Sequence, residues 1–293
     1  MSVLSDYKLI QPKNCINELE KKHQVFLSEI TINPYKGCHY NCPSCYGLSA
    51  DDTKIGIKTN LPGQLKKKLD YLAEKKSIMI GSSTDPYQPL EEKFKLTRCC
   101  LEIIIERNFP VQIFTKSPLI LRDIDLISKY SKLGLCAVNI TIFTLDESIK
   151  KIFEPCAPDI ETRLKLIQKL HNEGVITGIV FAPIFPYIND DLLKIDELFK
   201  KAKKFCADYL IPAVLVINSE NIRERIFSIL NEKFPNIVHR YKALYEKSYF
   251  PSVSYCQRIS SEILSIAEKN KIKLFLPVSG AKKFSDIRME PLV

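Results

Sequence analysis

The chain has 293 residues, 45% of them hydrophobic, with ten cysteines and a formal charge of +9. That is enough for one large domain or two small ones with a sizeable core. No apolar run reaches the length of a transmembrane span, and residues 1–11 lack the pattern of a signal peptide, so a cytoplasmic protein without membrane attachment is expected. In that compartment the cysteines point to metal binding or catalysis rather than to a disulfide framework. Much of the charge lies in lysine runs such as Lys66-Lys67-Lys68 and Lys203-Lys204. These read first as solvated helix faces and second as a surface for a polyanion such as nucleic acid.

In chain order, residues 14–24 suit a short helix and 28–33 a first strand. Three cysteines follow at once, Cys38, Cys42 and Cys45, after the punctuation of Asn33-Pro34 and Gly37. Residues 61–76 read as a helix with Leu65, Leu69 and Leu72 on one face. The second strand, 77–80, runs into the polar loop 81–89. A helix at 97–108 precedes the third strand at 111–115, and a helix at 119–132 precedes the fourth at 135–143. Pro158 opens a helix that carries Ile160, Leu164, Ile167 and Leu170 at helical spacing, and Gly174 stops it. A fifth strand at 175–181, a helix at 189–206 and a sixth strand at 208–217 containing Pro212 complete the alternation. Helices at 219–234, 236–247 and 254–270 and a short strand at 271–276 are expected last.

Six strand–helix alternations predict a parallel sheet, either open and doubly wound or curled into a barrel or part-barrel. In both, functional residues belong on loops after the carboxyl ends of strands. The three cysteines, Ser83-Thr84-Asp85, Lys116-Ser117 and Thr144 all fall there.

Thiolates suit an iron–sulfur cluster or zinc. Four protein ligands close a zinc site, and three leave a position open. His39 would complete a Cys3His zinc site, and Cys42-Pro43-Ser44-Cys45 would serve as a dithiol pair. Cys100 and Cys136, inside apolar patterns, read as core residues.

The segment Asn33-Pro34-Tyr35-Lys36-Gly37-Cys38-His39-Tyr40-Asn41-Cys42-Pro43-Ser44-Cys45-Tyr46 resembles the signature of the radical S-adenosylmethionine (SAM) superfamily. It is most similar to the branch that holds spore photoproduct lyase. Further matches are Thr84 to Glu91, Thr115 to Pro118 with Leu121-Arg122-Asp123, Thr144 to Arg163, and Ala182 to Asp190. The last hundred residues match no motif.

The resemblance implies a partial (β/α)6 barrel of the TIM type, with an N-terminal extension (1–27), a core (28–218) and a C-terminal helical extension (219–293). It implies a [4Fe–4S] cluster on Cys38, Cys42 and Cys45, with SAM on the fourth iron, and an enzyme that makes a 5′-deoxyadenosyl radical. SAM contacts would come from Tyr46, Ser83, Thr84, Asp85, Lys116, Thr141, Glu154 and Arg163. A one-electron donor such as flavodoxin or ferredoxin is the implied partner. Nucleic acid leads as substrate, ahead of a peptide or small metabolite; a zinc-stabilised binding protein is the reading from another class. Spore photoproduct lyase has a cysteine near the second-strand loop, and residues 81–85 have none. Tyr255 and Cys256 are the replacements considered for hydrogen donation, with ordinary packing as the simpler role.

Overall fold

Six short, branched, apolar runs pair side by side in the order in which the chain makes them. The computed structural model describes residues 7–19, 28–45, 47, 54–246 and 248–274. The first elements are β1 (Tyr7–Ile10), β2 (Ile16–Glu18), β3 (Ile30–Ile32), β4 (Tyr35–Lys36), β5 (Ile55–Lys58) and α1 (Leu61–Tyr71). Then come β6 (Ile78–Ile80), α2 (Leu90–Phe94), α3 (Leu96–Glu106), β7 (Val111–Thr115), α4 (Ile124–Ser131) and β8 (Cys136–Thr141). The chain continues through α5 (Glu147–Phe153), α6 (Ile160–Asn172), β9 (Ile176–Ile184), α7 (Leu192–Lys204) and β10 (Tyr209–Val214). It ends in α8 (Glu220–Lys233), α9 (Val238–Leu244) and α10 (Val253–Asn270).

The main sheet has the order β10-β9-β8-β7-β6-β3-β2. Its six parallel strands keep sequence order, so every crossover steps the same way and the sheet has no switch point. That excludes the doubly wound alternative, in which strand order reverses, and gives a singly wound, part-barrel architecture. Among the described residues β10 and β2 do not pair, so the sheet is open. β2 lies antiparallel to β3 at one edge.

One face of the sheet is sealed by helices. Val111, Ile113, Cys136, Val138, Ile140 and Ile179 pack with Leu101, Ile104, Ile127, Leu164, Ile167 and Leu170 in one buried cluster. Cys100 and Cys136 belong to it, as their apolar surroundings predict. In α6, Asp159 caps the first turn through Thr162 N at 2.7 Å, and Ile160, Leu164, Ile167 and Leu170 form its buried stripe. The opposite face carries the row Phe114, Asn139, Gly178 and Tyr209, which are register partners across β7 to β10. The Tyr209 hydroxyl donates to Asn139 Oδ1 at 2.8 Å, and its ring lies across Gly178.

Several elements differ from expectation. Residues 16–18 are a strand rather than part of a helix: Ile16 is buried against the core, while Glu18 pairs with Lys68 at 2.6 Å and with Lys76. The rest of that expected helix, from residue 20, lies outside the described residues. The helix expected from 119 begins as a 3-10 turn, Pro118–Asp123, because Ser117 caps it and Pro118 suits a first turn. β1, β5 and β4 form a small sheet over Tyr35, Ile57, Leu90 and Leu96, which the sequence reading lacked. Near the C-terminus, Lys273 makes a single parallel bridge to Tyr209, and residues beyond 274 lie outside the described residues. α8 buries Ile222, Ile226 and Leu230 against Phe153 of α5 and against Phe143, Phe185, Leu215 and Ile217, which follow the carboxyl ends of strands. Among the described residues no helix is long and apolar enough to cross a membrane.

Gly178 supplies a test of the inner row. A Cβ there would lie 2.1 Å from a Tyr209 ring carbon. Gly178→Ala should lower the unfolding free energy by about 1–3 kcal/mol through overpacking, read from denaturant midpoints. An unchanged midpoint would contradict the packing described.

Candidate functional site

The cysteine loop starts where β4 ends, at Gly37, whose φ of +81° suits glycine. Two turns wind it: Asn41 N donates to Cys38 O at 3.3 Å, and Cys45 N to Cys42 O at 2.9 Å. Asn41 itself is left-handed (φ +46°), a conformation asparagine tolerates. All three cysteine residues are partly exposed.

Two side-chain amides fix this loop to the loop after β6. Gln88 Oε1 accepts from His39 N at 3.1 Å and lies 3.0 Å from His39 Nδ1, while its Nε2 donates to Gly37 O at 3.2 Å. Asn33 Oδ1 accepts from Ser83 N (2.9 Å) and Thr84 N (3.3 Å), and its Nδ2 donates to Ser82 Oγ at 2.9 Å. Gly47 comes so close to Ser83 that a Cβ would stand 2.1 Å from its carbonyl oxygen. The Cys45 thiol points at that same oxygen, 3.7 Å away.

Behind the loop lies a buried ionic lattice. Tyr35 donates its hydroxyl proton to Glu91, Arg122 pairs with Glu91 and Asp123 at 2.8 Å each, and Tyr87 donates to Asp123 at 3.0 Å. Arg98 completes it with a 3.0 Å contact to Asp123. The sequence motifs contained Arg122 and Asp123, but the pairing of Arg122 with Glu91, and of Glu91 with Tyr35, requires the fold.

The expected SAM-contacting residues divide by what they touch. Asp85 is buried. Its carboxylate accepts from Thr115 Oγ1 (2.6 Å), Lys116 N (2.7 Å) and Tyr87 N (2.9 Å), so it ties the β6 and β7 exits together. Burial raises its pKa despite those bonds and the Lys116 charge. Thr84 turns its hydroxyl to Tyr35 O at 3.4 Å, and the Ser83 carbonyl faces Cys45. Arg163 is fully buried: it donates to Pro158 O and to Thr141 O at 3.0 Å, and pairs with Glu154 at 2.5 Å. Its anion is therefore Glu154. Glu154 also reaches Lys116 Nζ at 3.5 Å. Burial alone would lower the Lys116 pKa, but Glu154, Cys42 and Asp85 outweigh it and raise it. Thr141 ends β8 on the inner face, in one row with Val180 and Ile211. Tyr46 lies outside the described residues.

Burial pushes the Cys38 thiol up to about 12, with Asp85 adding to the effect. It pushes Cys42 to about 12 as well, against the lowering pull of Lys116. Soft thiols on one loop suit an iron–sulfur cluster or zinc. Among the described residues no three His, Cys, Asp or Glu side chains crowd round one ion. A cubane places each thiolate on its own iron, so its ligands stand apart.

Sequence reasoning missed Arg225. This α8 side chain donates from Nη2 to Cys45 O at 3.1 Å, 180 positions away. Only a tertiary contact reveals it. Tyr255, considered as a hydrogen donor, gives its proton to Asp190 at 2.8 Å, and Cys256 turns its thiol to Pro251 O at 3.7 Å.

The model of the radical SAM superfamily matches residues 32–199. An uncharacterized protein of Methanocaldococcus jannaschii is 28% identical over 255 residues, 84% of this chain and 89% of its own. A mutant spore photoproduct lyase with bound AdoMet and dinucleoside spore photoproduct is 16% identical, with a TM-score of 0.59 over 85% of this chain and 75% of that one. Streptococcus suis SuiB bound to precursor peptide SuiA is 14% identical, with a TM-score of 0.57 over 84% of this chain and 47% of that one. At these identities the structural likenesses establish the fold.

Glu154 holds the buried Arg163 and the partly exposed Lys116. Glu154→Gln should lower stability by about 3–5 kcal/mol, the cost of leaving buried charge unpaired, seen as a lower denaturant midpoint. Unchanged stability would show that the Lys116–Glu154–Arg163 triad is not formed.

Proposed function

The chain belongs to the radical SAM superfamily, and on that premise we propose that Cys38, Cys42 and Cys45 hold a [4Fe–4S] cluster serving hydrogen abstraction from a nucleic-acid substrate. The observation that carries the cluster reading is the set of three thiols on one loop, which Gln88 holds to the β6 exit through Gly37 and His39. When bound, the cluster supplies the electron that splits SAM into methionine and a 5′-deoxyadenosyl radical, which takes hydrogen from substrate.

The chain's own groups prepare that chemistry. Asn33 and Gln88 hold the cysteine loop in register with the β6 exit. Lys116, beside Cys42 and Asp85, is the cation suited to the SAM carboxylate. The Thr141 hydroxyl, at the inner end of β8, suits a ribose hydroxyl. Arg163 and Glu154 act one step back: Arg163 braces the β8 exit through Thr141 O, and Glu154 sets the position of Lys116. Ser83, Thr84 and Asp85 form the edge of the pocket, with Asp85 fixing the Lys116 backbone. Tyr46, next to the last ligand, is assigned to adenine. A soluble one-electron carrier such as flavodoxin or ferredoxin is the proposed reductant.

The substrate reading draws support from an aromatic and basic cluster after the carboxyl end of β9. Tyr187 is 39% exposed and left-handed (φ +63°), with the Arg240 guanidinium 5.1 Å from its ring centroid. Tyr255 lies 6.4 Å from Tyr187, and Arg258 lies 5.3 Å from the Tyr255 ring. Planar bases stack on such faces, and the arginines suit phosphates. The left-handed Tyr187 backbone is a strained conformation of the kind that gathers at functional sites.

Two experiments test the proposal. Cys42→Ala should lose both the cluster absorbance and SAM cleavage, and retention of both refutes the ligand assignment. Deuterated DNA, RNA and peptide pools should differ in transfer of label into 5′-deoxyadenosine, with a nucleic acid as donor. Label arriving from peptide alone would overturn the substrate class.

A further inference from the structure

Arg225 stands on the C-terminal helix α8, in a region that matches no motif of the superfamily. The flanking residues Ile222 and Ile226 are buried against the strand ends, which fixes this face of the helix over the site. From there the guanidinium reaches the last cluster ligand and donates to its carbonyl at 3.1 Å. An arginine keeps its proton in a folded protein, so a positive charge sits against the Cys45 peptide.

On the cluster reading given above, we propose that Arg225 is a positioning residue that raises the reduction potential of the cluster and ties the C-terminal helices to its loop. One-electron reduction adds one negative charge to the cluster and its three thiolates. A neighbouring cation stabilises that product more than the oxidised state, and net charge and hydrogen bonding are among the factors that set such potentials. Lys116, held by Glu154, lies near Cys42 at one end of the loop. Arg225 acts on the opposite end of the loop through a carbonyl.

The test is potentiometric titration of anaerobically reconstituted protein without SAM, followed by electron paramagnetic resonance. Arg225→Gln should shift the one-electron equilibrium about tenfold toward the oxidised state, a drop of ~59 mV. Arg223→Gln, on the same helix but paired with Glu220 at 3.5 Å, should leave it unchanged. Equal shifts in both variants, or none in Arg225→Gln, overturn the proposal. Arg225→His provides an internal comparison should the glutamine variant hold no cluster. Its potential should fall relative to wild type as pH rises through the histidine range near ~6.5, and parallel pH profiles for the two proteins overturn the proposal. Wild-type protein that takes up iron in no cubane form would overturn the cluster reading itself, which these comparisons between variants do not address.

Discussion

Two side-chain amides, Asn33 and Gln88, set the geometry on which the site depends. A loop of three cysteines has no secondary structure to stiffen it, and its ends cannot by themselves define where three sulfurs stand. Gln88 grips the loop at Gly37 and His39, and Asn33 grips the β6 exit at Ser82, Ser83 and Thr84. Each amide presents a donor and an acceptor in one plane: Gln88 satisfies backbone groups of both signs, and Asn33 satisfies two backbone N–H groups and the Ser82 hydroxyl. Gly47 then permits the returning chain to touch the Ser83 carbonyl. The sheet supplies the frame for this: β3 and β6 are direct neighbours, so their exits lie side by side.

Charge is arranged around that clamp in layers. Glu91 and Asp123 are fully buried but matched by Arg122 and Arg98, and the matching holds the loop's foundation rather than its chemistry. Glu154 serves two cations from the β8 side. Removing one member of such a group costs more than the pair contributes, because the survivor cannot be solvated. Arg225 extends the pattern from a third direction. The same end of the sheet therefore receives contributions from the β3, β6, β7 and β8 exits and from a helix more than two hundred residues into the chain.

The alternation of strands and helices was legible because buried parallel strands leave short apolar runs and amphipathic helices leave a periodic stripe. The choice between an open doubly wound sheet and a part-barrel was not, because periodicity carries no information about strand order. The helix expected at 14–24 failed on Ile16 to Glu18, where a neighbouring strand edge offered hydrogen bonds that local propensity cannot anticipate. The cysteine spacing announced the candidate site because its three thiols are local in sequence. Its supports were hidden: Gln88 reads as one polar residue in a polar loop, and Arg225 as one charge on an amphipathic helix. Arg163 and Glu154 stood out in the sequence, yet the burial of both and the contact to Thr141 are properties of the folded chain.

The central claim is that three thiolates bind a cluster and leave one iron open to SAM. The most direct measurement is electron paramagnetic resonance of the dithionite-reduced, anaerobically reconstituted protein before and after SAM is added. The account predicts a [4Fe–4S] signal whose g values shift when SAM binds the open iron. A signal that SAM leaves unchanged, or stoichiometric zinc in place of iron, would contradict it.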